Sequence, residues 1–343
     1  MKKLLNTLYI TSPDRYLSVE GENVVVLKGN YEIGRVPLHN LEAIITYGYT
    51  GASPALMGAC AKRNVSLSFM NQHGGFVSRV TGKINGNVIL RKQQYFSSED
   101  KNITLRIAKR FILAKIFNSR WVLERITRDN SLRIDVEKFK NVSGMLKNSL
   151  KNIEKSESLD NLRGIEGEAA SLYFSLLNDM ILQQKDDFIF ESRNRRPPMD
   201  NVNTLLSYVY SLLCGMYVSA CESVGLDPCV GFMHKDRPGR ASLALDLMEE
   251  ARSVLADRFV LTVINKKIVT SKDFSKKENG SVIMNENGRK QILTAWQNRK
   301  TEILEHPFLS EKIEWGMVPY VQALLLARFL RGDLDDYPPF MWK

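Results

Sequence analysis

The stretch YFSSEDKN, residues 95–102, is where the hydrophobic period of this 343-residue chain changes from two to 3.6. Before it, YLSVEGENVVVL (16–27) and YEIGRVPL (31–38) are rich in β-branched and aromatic residues. They are punctuated by Gly21/Asn23 and Gly29/Asn30, both good hairpin chemistry. AIITYGY (43–49), VSLSFM (65–70) and GFVSRVTG (75–82) continue the strands, with His73-Gly74-Gly75 turning between the last two. SPALMGACAKRN (53–64) predicts one helix, with Ser53 as N-cap, Pro54 at the first helical position and a basic last turn.

After it, ITLRIAKRFILAKIFNSRWVLERIT (103–127) predicts a long helix that brings Arg106, Lys109 and Arg110 together, with Arg120 further along. Residues 129–160 are polar and lysine-rich and read as a looser helical connector. One non-helical interruption near 267–288 predicts a hairpin carrying Lys272, Lys276 and Lys277. The expected fold is therefore α+β with two domains. Residues 1–96 form an N-terminal β-rich domain, and 97–343 a larger helical domain with one short hairpin insertion, 97–102 being the linker.

Composition narrows the function classes. No run reaches the ~18 apolar residues of a membrane span. The opening MKKLLNTLYITSPDRYL starts like a signal peptide, but Asn6, Thr7, Ser12, Pro13 and Asp14 interrupt it. The expected location is cytoplasmic. Cys60, Cys214, Cys221 and Cys229 form no CxxC pair and read as four buried thiols. A net charge of +10 favours an acidic partner such as a nucleic acid backbone. Residues 1–96 hold 11 Lys/Arg against 5 Asp/Glu, so the longer remainder must concentrate its positive charge locally to grip a polyanion.

Three segments carry candidate chemistry. In HKDRPGRASLALDLMEEAR (234–252), one of four histidines sits on a Gly/Pro turn before a helix bearing Asp246, Glu249 and Glu250. Alone, that is an amphipathic helix with a solvated acidic face. In LRGIEGEAASLYFSLLNDM (162–180), Glu166 falls on the same helical arc as Ala170, Tyr173 and Leu177 and so projects from the apolar side. A buried carboxylate is neutralised, paired with an internal Arg or Lys, or placed on a metal. Gly164 and Gly167 weaken that helix by about 1 kcal/mol each, which makes sense if something approaches its backbone closely. An inward Glu, a turn His and an Asp/Glu pair make a candidate hard-cation site. Its oxygen donors suit Mg²⁺ or Mn²⁺, and the imidazole favours Mn²⁺. Such an ion beside a basic surface points to phosphodiester chemistry. In ESRNRRPPMDNVNTLLSYVYSLL (191–213), Arg193, Arg195 and Arg196 precede two prolines and suit phosphate, or else a salt-bridged surface loop. Lys235, Arg237 and Arg240 on the histidine turn are further DNA-contact candidates.

In order and spacing, GIEGEAA (164–170), RRPPMDNVNTLLSYVY (195–210) and GFMHKDRPGRASLALDLMEEAR (231–252) resemble the family of CRISPR-associated protein one, the integrase of spacer acquisition. The resemblance spans essentially the whole chain. YLSVEGENVVVL and the closing PYVQALLLARFLRGDLDDYPPFMWK (319–343) are most similar to the type I-C branch. It implies a metal-dependent DNA endonuclease and integrase with Glu166, His234 and Glu249 as ligands and Asp246 as an assisting carboxylate. Geometry leaves Glu249 and Glu250 tied; the family spacing from Asp246 favours Glu249, where the family often has Asp. The resemblance also implies a homodimer through the β-rich domain, double-stranded DNA as substrate, and complexes with CRISPR-associated protein two and, in type I-C systems, the nuclease CRISPR-associated protein four. The rival readings are a general metal-dependent nuclease and a non-catalytic nucleic-acid-binding scaffold.

Overall fold

A computed structural model describes residues 6–48, 51–71, 76–80, 82, 88–195 and 197–343. The expected turn at His73-Gly74-Gly75 and the candidate Arg196 lie outside these residues. The strand-rich start and helical remainder predicted from periodicity are both present, as an α+β chain of two units.

The first unit comprises Met1–Asn85 and Met284–Glu302. Its strands are β1 Thr7–Ile10, β2 Tyr16–Glu20, β3 Asn23–Lys28, β4 Tyr31–Pro37, β5 Ala43–Tyr47 and β6 Gly51–Ala52, followed by helix α1 Pro54–Arg63, then β7 Ser66–Met70 and β8 Phe76–Val80. They make two four-stranded sheets, ordered β1-β5-β7-β8 and β4-β3-β2-β6. The hairpin chemistry works as expected. Glu20 pairs Asn23 across a two-residue loop with Gly21 at φ 58°, and Lys28 pairs Tyr31 with Gly29 at φ 59°. Ser53 caps α1 by accepting from Leu56 N at 3.2 Å, and Asn64 closes it in the left-handed region. Leu17, Val24, Val26, Ile44, Leu56 and Leu67 are among the residues of the core.

The second unit comprises Gly86–Ile283 and Ile303–Lys343. Its helices are α2 Val88–Glu99, α3 Lys101–Asp129, α4 Val136–Glu154, α5 Leu159–Phe174, α6 Asn201–Val224, α7 Ser242–Ala251 and α8 Arg258–Asn265, with a π-helical stretch Arg252–Asp257 joining the last two. The short hairpin β9 Phe274–Lys276 and β10 Val282–Met284 follows, where the sequence predicted one. Helix α9 Glu286–Thr301 belongs to the first unit. A second small hairpin, β11 Ile303–Glu305 with β12 Lys312–Glu314, and helix α10 Val318–Leu330 complete the chain.

Three expectations need correction. The units part at 85/86 rather than 96/97, because α2 packs as a helix of the second unit. Leu90 is buried there, and Gln94 Nε2 donates to the carbonyls of Asp227 (2.9 Å) and Val230 (2.8 Å). Helix α9 returns to the first unit, where Lys300 Nζ lies 3.1 Å from Thr7 Oγ1 and Arg289 stacks over Tyr47. The lysine-rich 129–160 region holds a regular helix, α4. Asp135 caps it, and Phe139, Val142, Leu146 and Ile153 form a buried stripe against α3 and α5. Exposed lysines masked that stripe in the composition.

Helix α3 is the axis of the second unit, packing against α2, α4, α5 and α7. Helix α6 is long and apolar enough to cross a membrane, yet more than half of its apolar 18-residue window is buried, and the helix packs against α7 and α10. Cys60 and Cys221 are buried and Cys214 half-buried, but Cys229 is exposed, so the reading of four buried thiols holds for two.

Candidate active site

Four elements of the second unit bring charged side chains together. Helix α5 presents Glu166, the loop 231–241 presents His234, α7 presents Asp246 and Glu249, and α3 presents Lys115. The acidic side of α7 is not a solvated face: Asp246, Glu249 and Glu250 are all buried. Each is neutralised differently.

Asp246 is neutralised by backbone. Its Oδ2 accepts from the amides of Phe232 (2.7 Å) and Met233 (3.0 Å), and its Oδ1 from the His234 amide (3.0 Å). His234 Nδ1 lies 2.5 Å from the same Oδ1. Nδ1 therefore carries the proton it donates to Asp246, and Nε2 is the nitrogen left to meet a ligand. Gly231 makes the cradle sterically possible: a Cβ there would lie 2.8 Å from Asp246 Oδ2 and 2.9 Å from Ser242 Cβ. Arg163 Nη2 donates to the Met233 carbonyl at 2.8 Å, tying the loop to α5.

Glu249 is neutralised by cations. Its Oε1 lies 2.9 Å from Arg252 Nη2 and its Oε2 2.8 Å from Lys115 Nζ. Burial pushes its pKa up, but Arg252, Lys115 and then His234 outweigh burial and hold it at about 2. The Lys115 ammonium also donates to Glu166 Oε1, so carboxylates from α5 and α7 converge on a single positive charge.

Glu250 faces the other way, into the C-terminal tail. Its Oε2 accepts from Gln322 Nε2 (2.7 Å) and the Phe340 amide (3.0 Å). Burial dominates and raises its pKa to about 8, against the lowering effect of Phe340, Tyr337 and Gln322. At neutral pH it is mainly the protonated acid. The tail is pinned by Asn118 of α3, whose Nδ2 donates to the carbonyls of Glu250 (2.6 Å) and Phe340 (2.7 Å). Of the tied pair, Glu249 is thus the one beside Glu166.

The basic candidates separate. Lys235, Arg237 and Arg195 are exposed, and Arg240 is half-buried. Arg193 is turned inward instead: its guanidinium donates to Asn203 Oδ1 (2.6 Å) and Ser207 Oγ (3.1 Å) and stacks over Tyr210. Arg252 stacks over the same ring, and Tyr210 donates to Asp257 at 2.5 Å. Gly164 and Gly167 have nothing within 4 Å of where a Cβ would stand, so no described part of the chain makes the close approach expected there.

Sequence reasoning missed Lys115 and Arg252. For Lys115 half a signal existed: its i−4 and i−3 neighbours, Phe111 and Ile112, are apolar, but Asn118 and Ser119 at i+3 and i+4 are polar, and only the structure shows them buried. Arg252 opens the π-helical stretch, where a helical wheel loses register.

Among the described residues, no three His, Cys, Asp or Glu side chains stand together as a finished ion site. The donor set nonetheless fits a hard divalent cation. Two carboxylates on separate helices already share one cation, and Asp246 fixes the His234 tautomer.

Residues 8–298 match the family of CRISPR associated protein Cas1. The CRISPR-associated endonuclease Cas1 1 of Chlorobaculum tepidum is 46% identical over 343 residues, all of both chains. A CRISPR-associated exonuclease Cas4/endonuclease Cas1 fusion of Geobacter sulfurreducens is 32% identical, over 98% of this chain and 60% of the relative. Among solved structures, a casposase bound to its integration product is similar with a TM-score of 0.83 at 25% identity, over 98% of this chain and 94% of that one. A Cas6-RT-Cas1–Cas2 complex shares the fold, with a TM-score of 0.81 at 20% identity, over 98% of this chain and 36% of that one.

Proposed function

The chain belongs to the Cas1 family, and from that footing we propose that it is a metal-dependent DNA integrase and endonuclease of CRISPR adaptation. The 3′-hydroxyl of a captured DNA fragment attacks a phosphodiester at the CRISPR repeat boundary. A new 3′-oxygen–phosphorus bond forms, the phosphorus–oxygen bond of the repeat strand breaks, and that strand leaves with a 3′-hydroxyl. The observation that carries the reading is the convergence of Glu166 and Glu249 on one positive charge, in the part of the fold where Asp246 holds the His234 ring.

Glu166, His234 and Glu249 are the side chains that would hold Mg²⁺ or Mn²⁺. Bound there, the ion would supply Lewis-acid stabilisation of charge on the phosphoryl oxygens and a lower pKa for the attacking hydroxyl. Asp246 positions His234 and does not touch the DNA; its buried carboxylate is saturated by three amides and the ring. The exposed Arg195, Lys235 and Arg237, with Arg240, hold DNA phosphates. The open backbone at Gly164 and Gly167 beside Glu166 offers room for a strand to approach.

The partners follow from the same reading. They are double-stranded DNA, a second copy of this chain through the β-rich unit, and Cas2, with which a similar chain is found in a complex. Cas4 is a further partner, since a relative is fused to it. The setting is the cytoplasm, and the branch is type I-C.

The name endonuclease in the relatives favours one second reading, in which water replaces the 3′-hydroxyl at the same residues. A branched DNA substrate with Mn²⁺, scored for both joining and cleavage, separates the two. Joining is the expected result. Cleavage alone would leave a nuclease, and binding without either a scaffold.

A further inference from the structure

The cation shared by Glu166 and Glu249 belongs to the chain itself, and this has a consequence for how the site takes up an ion. Lys115 Nζ is hydrogen-bonded to Glu166 Oε1 and lies 2.8 Å from Glu249 Oε2. Its side chain is 12% exposed, and that of Glu249 5%. A magnesium-sized ion binds carboxylate oxygens at about 2.0–2.1 Å. It would therefore take the space the ammonium fills, and two adjacent cations repel strongly in a site with little water. We propose that Lys115 is a resident counter-ion that a divalent cation displaces, so that this lysine holds the two carboxylates in register in the ion-free protein and sets the metal affinity.

The side chain suits the exchange. Lysine is a point charge on a flexible four-carbon stem, so the ammonium can leave without moving its helix. The backbone of α3 is held one turn on, where Asn118 bridges the Glu250 and Phe340 carbonyls. A cleft flanks Lys115, lined by Ser119, Tyr173, Ser253 and Asp257. Ser253 Oγ, which lines it with Arg252, is buried without a hydrogen-bond partner among the described residues and is the oxygen left to accept from a displaced ammonium, Asp257 being engaged by Tyr210.

This inference rests on the metal reading above, and the test separates the two. Mn²⁺ is titrated calorimetrically into the ion-stripped full-length protein and into Glu166→Gln, Lys115→Met and Lys115→Arg. Glu166→Gln should weaken binding about tenfold or more. Lys115→Met, which keeps the stem and removes the charge, should tighten it by roughly tenfold or more, because the ion no longer competes with a filled state. Its ion-free melting temperature should fall, since only Arg252 then offsets the charge of the two carboxylates, and Mn²⁺ should restore it. If Lys115→Met does not fold without the ion, Lys115→Arg decides. A guanidinium grips two carboxylates more firmly, so Mn²⁺ should bind several-fold more weakly than to the native protein. Normal Glu166 dependence with unchanged or weaker binding in Lys115→Met overturns the exchange and leaves the metal site standing. So does unchanged or tighter binding in Lys115→Arg. Binding indifferent to Glu166→Gln overturns both.

Discussion

Glu249 and Glu250 are neighbours in sequence and differ in chemistry. One is held ionised by Arg252 and Lys115, and the other is held protonated by burial under the tail. Glu249→Gln removes a preorganised charge and should lower the joining rate by ~10²-fold or more. Glu250→Gln copies the protonated acid and should leave the rate close to native; rates measured across a Mn²⁺ titration give the order, and the reverse order would move the ligand to Glu250. Stability gives an independent check. Glu250 has a folded pKa of about 8 against an ordinary 4.5, so the folded state keeps a proton that the unfolded chain releases. Its contribution is complete below about 4.5 and is lost as pH rises through about 8. Glu250→Gln should therefore have a urea midpoint that declines less than the native one between about pH 4 and about pH 9. Parallel profiles would mean that the carboxyl titrates normally. The sequence could not break this tie from the helix alone, because the groups that capture Glu250 come from residues 322–340, far along the chain. The inward Glu166 was legible, because its carboxylate interrupts an apolar arc of its own helix.

The loop 231–241 and helix α7 work as one piece, joined through the Asp246 carboxylate. Gly231 sits at their closest approach, where a methyl group has no room. Gly231→Ala should cost ~1–3 kcal/mol of stability by overpacking and should lower joining by loosening His234, with DNA affinity kept. A variant with native joining and melting would show that the cradle yields cheaply. Gly167→Ala, in open space on α5, should instead raise stability by roughly 0.5–1 kcal/mol, read as a higher urea midpoint. A loss of joining in that stabler variant would mark the close approach to DNA. Strands, hairpin turns and the N-cap of α1 were readable because each is decided within a few residues. Helix α4 was not, since its apolar stripe is thin beside its lysines. The place of α9 was not either, since a helix that returns to an earlier unit leaves no local mark.

Across the whole chain, the excess of positive charge reads as grip on a polyanion, but the structure divides the arginines by role. Arg193 is committed to Asn203, Ser207 and Tyr210, so Arg193→Ala should lower the melting temperature, while Arg195 is exposed. Arg195→Gln should reduce the magnitude of the salt slope of DNA binding by about 0.9 if it neutralises one phosphate. An unchanged slope would remove Arg195 from the interface. That division was hidden in the sequence because RNRR reads as one basic run, and only the fold shows which guanidinium turns inward. The metal-centred reading itself stands or falls with Glu166, the one carboxylate that reaches the shared cation from α5. The decisive measurement compares native protein and Glu166→Ala on a branched DNA substrate with Mn²⁺, scoring strand joining and DNA affinity in the same samples. The account predicts that joining is abolished while affinity stays within a few-fold of native, because affinity comes mainly from phosphate contacts elsewhere. Near-normal joining by Glu166→Ala would contradict it.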